Sequence, residues 1–152
     1  MHFSPAAVLG TVRPFVQAVF RAVTGFLFAC HGAASLFGVL GGAHGAGTVP
    51  TLQWPGWWAA LIELVGGALV ALGLFTRTSA VICSGAMAYA YFTAHQPNAL
   101  FPIDNGGEPA VLFCWTFLLI ACLGPGAYGV ETLLKRGTTT TVDDGAAPVP
   151  AS

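Results

Sequence analysis

Apolar residues run in four long blocks along this chain, separated by short stretches rich in Gly, Pro and polar side chains. The first block, Phe15 to Leu40, is interrupted only by Gln17, Arg21, His31 and small residues. At about 1.5 Å per residue it crosses a bilayer core of about 30 Å with some tilt. Gly41-Gly42-Ala43-His44-Gly45-Ala46-Gly47, then Pro50 and Pro55, mark a loop. Trp54, Trp57 and Trp58 close it as an interfacial aromatic belt. The second block covers 57–75 and carries one charge, Glu63. Thr76-Arg77-Thr78 reads as a short turn, and a third helix over 79–94 ends at His95-Gln96-Pro97. The loop to Glu108 contains Pro97, Pro102, Asp104, Asn105, Gly106 and Gly107. Pro109 suits the first turn of a fourth helix over 109–123. Gly124-Pro125-Gly126 breaks that helix, and Tyr128 to Leu134 adds an interfacial turn.

These blocks predict an all-α fold, a four-helix transmembrane bundle with spans at about 15–40, 57–75, 79–94 and 109–123. Residues 1–14 read as an interfacial leader, and the Thr-, Asp- and Pro-bearing segment 136–152 as a disordered tail. No internal repeat stands out.

Composition agrees with the lipid reading. The chain is 55% hydrophobic and only 7% charged, against about 25% charged in a soluble domain. So few charges cannot coat a water-facing surface of this size. Net charge is −1, with no basic patch, which argues against a nucleic-acid partner. Cys30, Cys83, Cys114 and Cys122 form no Cys-x-x-Cys pair and sit in apolar runs, as small hydrophobes do. Leu27-Phe28-Ala29-Cys30 has the outline of a lipoprotein cleavage box. Arg21 leaves too short an apolar run before it, and Phe28 fits it poorly, so the N-terminus is expected to be retained.

Basic residues set the orientation. Arg13, Arg77, Lys135 and Arg136 fall before the first block, in the second connection and after the fourth block. The first and third connections contain no Lys or Arg. Cytoplasmic segments carry the excess of basic residues, so both ends are placed in the cytoplasm (N-in/C-in).

That topology gathers ionisable residues. His31 lies in the outer half of the first helix, and Glu63 about 9 Å along the second from its outer end. His95 ends the third helix at the same face, and Asn105 and Glu108 precede the fourth. Arg21 alone lies in the inner half. A carboxyl in mid-helix within lipid needs a partner or a proton, and such residues usually mark function. Three uses fit the cluster. A His and a carboxyl can hydrogen-bond the oxygens of a quinone and move its protons. Two His and two Glu suit a metal, but no pair has the helical spacing of a metal motif, so no metal is assigned. A polar network can simply pin helices together. For single residues the plain alternatives stay open: a helix cap for Glu108, an interfacial imidazole for His95, a carbonyl partner for His31, and a carbonyl or lipid-phosphate partner for Arg21.

At these residues the chain resembles the DoxX family. The resemblance is carried by Arg21 with Gly25, His31-Gly32, Leu36-Phe37-Gly38, Glu63-Leu64-Val65-Gly66-Gly67 and Leu72-Gly73-Leu74-Phe75-Thr76-Arg77. It continues through Ala88-Tyr89-Ala90-Tyr91, His95, Asn105-Gly106-Gly107-Glu108 and Gly124-Pro125-Gly126, so that 15–135 reads as one DoxX-like domain. Proteins of this kind are four-helix membrane proteins of bacteria and archaea. The resemblance implies a multi-pass protein of the bacterial inner membrane, associated with quinone-linked redox chemistry of sulfur compounds or oxidative stress. Many members carry a Lys three residues after the glycine of the His-Gly pair, where this chain has Ser35.

The expectation is therefore a quinone-interacting subunit that takes reducing equivalents from a partner oxidoreductase. Glu63 and His31 act as a proton-handling pair, and His95, Glu108, Asn105 and Arg21 serve as further cofactor contacts. A non-catalytic anchor or accessory subunit of a respiratory assembly is the alternative, with homo-oligomerisation also open. A solute carrier is less favoured, since there is no inverted repeat and no broken mid-membrane helix.

Overall fold

A computed structural model describes residues 5–42 and 47–143. The remainder of the 41–47 loop, the first four residues and the end of the expected tail lie outside the described residues. Among the described residues the chain is helical, with no strand. The long helices are α1 (Pro5–Phe37), α2 (Gly56–Leu72), α3 (Thr76–Ala90) and α5 (Glu108–Leu123). A single turn, α4 (Pro102–Asn105), lies between α3 and α5, and α6 (Val130–Asp143) follows α5. A π-helical turn, Tyr91–His95, extends α3 without a break, its last bond running from the Gln96 amide to the Tyr91 carbonyl.

Several boundaries differ from the sequence pattern. The expected leader is not separate, because α1 is helical from Pro5 and passes through Pro14. A proline inside a helix forfeits one amide bond and crowds the carbonyl four residues back. Here that residue is Gly10, whose side-chain position is open. At its other end α1 stops at Phe37, because Gly38 is left-handed with φ +69°. Helix α2 stops at Leu72, where Gly73 takes φ +77°. The Gly73 amide donates to the Leu69 and Val70 carbonyls and the Leu74 amide to Leu69, a Schellman closure. The turn is thus Gly73–Phe75, and Thr76-Arg77-Thr78 is the first turn of α3. The tail expected from 136 onward is helical as far as Asp143, with no proline before Pro148 to interrupt it.

Glycines set how the helices approach. A Cβ on Gly25 would lie 2.5 Å from the Ala71 nitrogen and the Gly67 oxygen, and one on Gly67 would lie 2.6 Å from the Ala29 nitrogen and the Gly25 oxygen. Gly32 meets the backbone of Ala60 and Leu64 in the same way. Helices α1 and α2 therefore touch backbone to backbone and run antiparallel, the small-residue packing that serves where no hydrophobic effect separates helix from solvent. Helices α3 and α5 form a second antiparallel pair, in which Ser84 Oγ donates to the Cys114 carbonyl at 2.8 Å. The pairs join along α2 and α3, where Gly66 faces the Cys83 thiol. Between α1 and α5, Phe28, Phe113 and Phe117 fill the space, with ring centroids 4.6 to 6.0 Å apart.

Among the described residues one helix, Gly10–Phe37, is by length and composition long and apolar enough to cross a membrane. Helices α2 and α5 are apolar but shorter, at 17 and 16 residues.

Candidate functional site

The two ends of the helical set are built differently. At one end the carbonyls that finish α2 and α5 receive arginines from neighbouring helices. Arg21, only 3% exposed, donates through one nitrogen to the Val70 and Ala71 carbonyls at 2.5 and 2.6 Å. Arg77 donates to the Ala121 and Cys122 carbonyls at 2.7 and 3.0 Å. Both guanidinium groups sit where the macrodipole favours a cation. Each lies against a left-handed glycine, Gly73 or Gly124, whose missing side chain leaves the room. The two hairpins thus repeat one clamp, although no repeat is visible in the sequence. Gln17 Nε2 adds a bond to the Gly124 carbonyl at 3.3 Å.

Helix α6 docks at this end. The Glu131 amide donates to the Gly73 carbonyl at 3.1 Å, and the Glu131 carboxylate accepts from the Thr76 amide at 3.4 Å, at the N-terminus of α3. The same carboxylate acts electrostatically on Arg21. Arg21, expected among the cofactor contacts, is therefore spent on the end of α2, far from His95 and Glu108.

At the opposite end the loop after α3 is tied to itself. Asn105 Nδ2 donates to the Ala99 carbonyl and its Oδ1 accepts from the Gly107 amide, both at 2.8 Å. His95 Nδ1 meets the Asn105 carbonyl at 3.2 Å. A carbonyl only accepts, so that nitrogen carries the proton, and Nε2 of the neutral ring is left as an acceptor. The Tyr91 hydroxyl donates to the Leu100 carbonyl at 3.2 Å. Gly107 has no room for a side chain between His95, Tyr91 and Asn105. His95 and Asn105 are thus brought together through backbone-directed bonds that shape the loop. Glu108 opens α5 exposed to the surroundings, with no side-chain cap bond formed there.

His31 and Glu63 sit at one height, since Gly32 packs against Ala60 and Leu64. They turn to different neighbours. His31 is exposed and meets Phe113 of α5 edge-on, at 5.8 Å between centroids. Glu63 is half-buried and within electrostatic reach of Cys83 on α3. No hydrogen bond or ion pair joins the two side chains among the described residues. Among the described residues no three His, Cys, Asp or Glu side chains converge on a point that could hold a metal.

A feature the sequence did not reveal is a groove of about 380 Å³ between α3 and α5. Ala88, Tyr91, Phe92, Pro102, Val111, Cys114 and Trp115 line it. Pro102 belongs to the loop braced by Asn105, so the groove runs beneath that loop. Only the α3–α5 register, set by Ser84 and Cys114, brings these residues together.

Among the described residues the architecture is all-helical, with two antiparallel helix pairs. The DoxX family model matches residues 16–96, and the chain belongs to the DoxX family of membrane proteins. An uncharacterized protein of Haemophilus influenzae is 41% identical over 125 residues, 78% of this chain and 90% of the relative. An Escherichia coli relative, inner membrane protein YqjF, is 32% identical over 81 residues, 50% of this chain and 58% of the relative. No solved structure matches the chain.

Proposed function

We propose that this is a four-span, multi-pass protein of the bacterial inner membrane, N-in/C-in, which serves as a small membrane subunit in quinone-linked redox chemistry. The orientation is supported by the clamped end. Arg21 and Arg77 are held there, and Lys135 and Arg136 follow in α6, which docks at that end. The connections at the other end lack Lys and Arg, so the clamped end faces the cytoplasm. Helix α2 spans about 25 Å and α3 with its π turn about 30 Å, within reach of the apolar core. The shorter α5 is accommodated by local thinning or by snorkelling flanks.

The quinone reading rests on the groove between α3 and α5. Its volume lies in the range of small-molecule sites. Its walls, Tyr91, Phe92 and Trp115, suit a flat ring with an isoprenoid tail. One turn beyond Tyr91 the His95 ring is held by its Nδ1 on the Asn105 carbonyl, and its neutral form offers Nε2 to a quinol hydroxyl. A quinone, when bound, supplies two-electron, two-proton redox. The chain's own part is to hold the ring and receive protons, with Glu63 and His31 as further proton-handling groups at their shared height. A partner oxidoreductase provides the electrons.

The test is titration of the purified protein with ubiquinone or menaquinone analogues. Binding weakens in Trp115→Ala and His95→Ala, and proton-coupled turnover falls in Glu63→Gln and His31→Ala. Unchanged binding and turnover across the set removes the assignment. A second reading, an accessory subunit of a redox assembly, is favoured by one observation: Arg21, Arg77 and Asn105 all serve the fold's own carbonyls and amides. It requires that a partner co-purify and that these substitutions weaken assembly while turnover per complex is kept.

A further inference from the structure

The connection from Gln96 to Gly107 carries large apolar side chains outward. Leu100 is 69% exposed, Phe101 62% and Ile103 79%. A flexible loop would fold such residues inward, since apolar area exposed to water is unfavourable at about 25 cal/mol per Å². This one is held open. The bonds from Asn105 to Ala99 and Gly107, from Tyr91 to Leu100 and from His95 to Asn105 fix its path, and the Gly107 amide closes it on the Pro102 carbonyl at 3.1 Å. The polar residues of this end brace an apolar knuckle.

We propose that this knuckle is immersed in the outer leaflet of the bilayer, at the level of the lipid headgroups and upper acyl chains. The inference rests on the membrane reading above and adds to it that a connecting loop, not only the helices, contacts lipid. Two observations favour lipid as the occupant. The first is height. Trp54 packs edge-on against Tyr89 at 6.0 Å, so the tryptophans of the first connection and the last turns of α3 form one aromatic belt, as at a membrane interface. The second is continuity. Pro102 of the knuckle is part of the wall of the α3–α5 groove, with Phe92 and Trp115 below it, so knuckle and helices present one apolar surface. Between His95 and Glu108 the sole formal charge is Asp104, so little electrostatic cost opposes immersion.

The experiment uses the full chain in a Cys122→Ser background, with an environment-sensitive fluorophore on Ile103→Cys and, separately, on Leu100→Cys. Labelling of the parent is subtracted as background. The protein is reconstituted in phosphatidylcholine–phosphatidylglycerol vesicles containing lipids spin-labelled near the headgroup or deep in the acyl chain. A probe on Trp115→Cys, on the exposed face of α5, reports on embedding itself. The expected result is blue-shifted emission at 100 and 103, lost more to the shallow quencher than to the deep one, with the reverse order at 115. Water-like emission at 100 and 103 that neither quencher touches, while 115 is quenched, overturns the knuckle proposal alone and leaves that loop to water or a protein partner. Failure of quenching at 115 as well overturns the membrane reading and this proposal with it.

Discussion

Replacing Gly67 by alanine adds one methyl within the backbone-to-backbone seam of α1 and α2. The new Cβ would stand 2.6 Å from the Ala29 nitrogen and the Gly25 oxygen and 3.1 Å from the Ala29 Cα. All three are backbone atoms of α1, so no side chain can swing away. Ordinary contact is about 3.5 Å, so α1 and α2 must separate by roughly 1 Å. Overpacking of this kind costs about 1–3 kcal/mol. The gain in helix propensity from Gly to Ala offsets at most about 1 kcal/mol of it. The net expectation is a loss of about 1–2 kcal/mol. Gly85→Ala, on an exposed face of α3 with nothing within 4 Å of the added methyl, is the matched control. It keeps the propensity gain without the clash. Unfolding in mixed micelles, followed by circular dichroism as denaturing detergent is raised, reads both. The account requires opposite signs. If Gly67→Ala is as stable as Gly85→Ala, α1 and α2 do not meet backbone to backbone.

Other substitutions address the two ends. Arg21→Ala removes a charged donor from two carbonyls and is expected to cost about 2–3 kcal/mol in the same unfolding assay, whereas the exposed Arg77→Ala costs less. Arg21→Lys restores only part of the loss, since the more strongly hydrated ammonium is costlier to bury there. Asn105→Ala breaks two bonds within the outer loop and is expected to weaken it by roughly 2 kcal/mol. The readout is faster hydrogen exchange at residues 96–107, with α1 and α2 unchanged. Ser84→Ala removes a bond between α3 and α5 and costs about 0.6 kcal/mol, the usual size of an interhelical hydrogen bond in a membrane.

Much of the helical layout was legible because it depends on local chemistry. Pro109 at the start of α5 and the Gly124-Pro125-Gly126 break each act within a few residues, whereas the stop at Gly73 was passed over and the second helix expected to run to Phe75. The expected leader and first span are one helix from Pro5, because Gly10, four residues before Pro14, brings no side chain to the crowded turn. The candidate site was legible only as heights along helices. The pattern placed His31 and Glu63 at one level, but which way each side chain turns depends on the rotation of α1 against α2. That rotation is fixed by Gly25, Gly32 and Gly67, whose importance lies in atoms of another helix. The repeated arginine clamp escaped notice because the separation from arginine to glycine differs between the two hairpins, so no fixed period appears. The groove between α3 and α5 depends on antiparallel register and left no trace in the sequence at all.

The central claim is that the arginine-clamped end faces the cytoplasm and the braced loop faces outward. The direct measurement is labelling of intact spheroplasts with a membrane-impermeant maleimide, using Gln53→Cys in the first connection, at the same end as the braced loop, and Thr78→Cys beside Arg77, both at exposed positions. The account predicts that Cys at 53 reacts in intact spheroplasts and Cys at 78 only after the membrane is opened. Labelling at 78 in intact spheroplasts, with 53 protected, contradicts it.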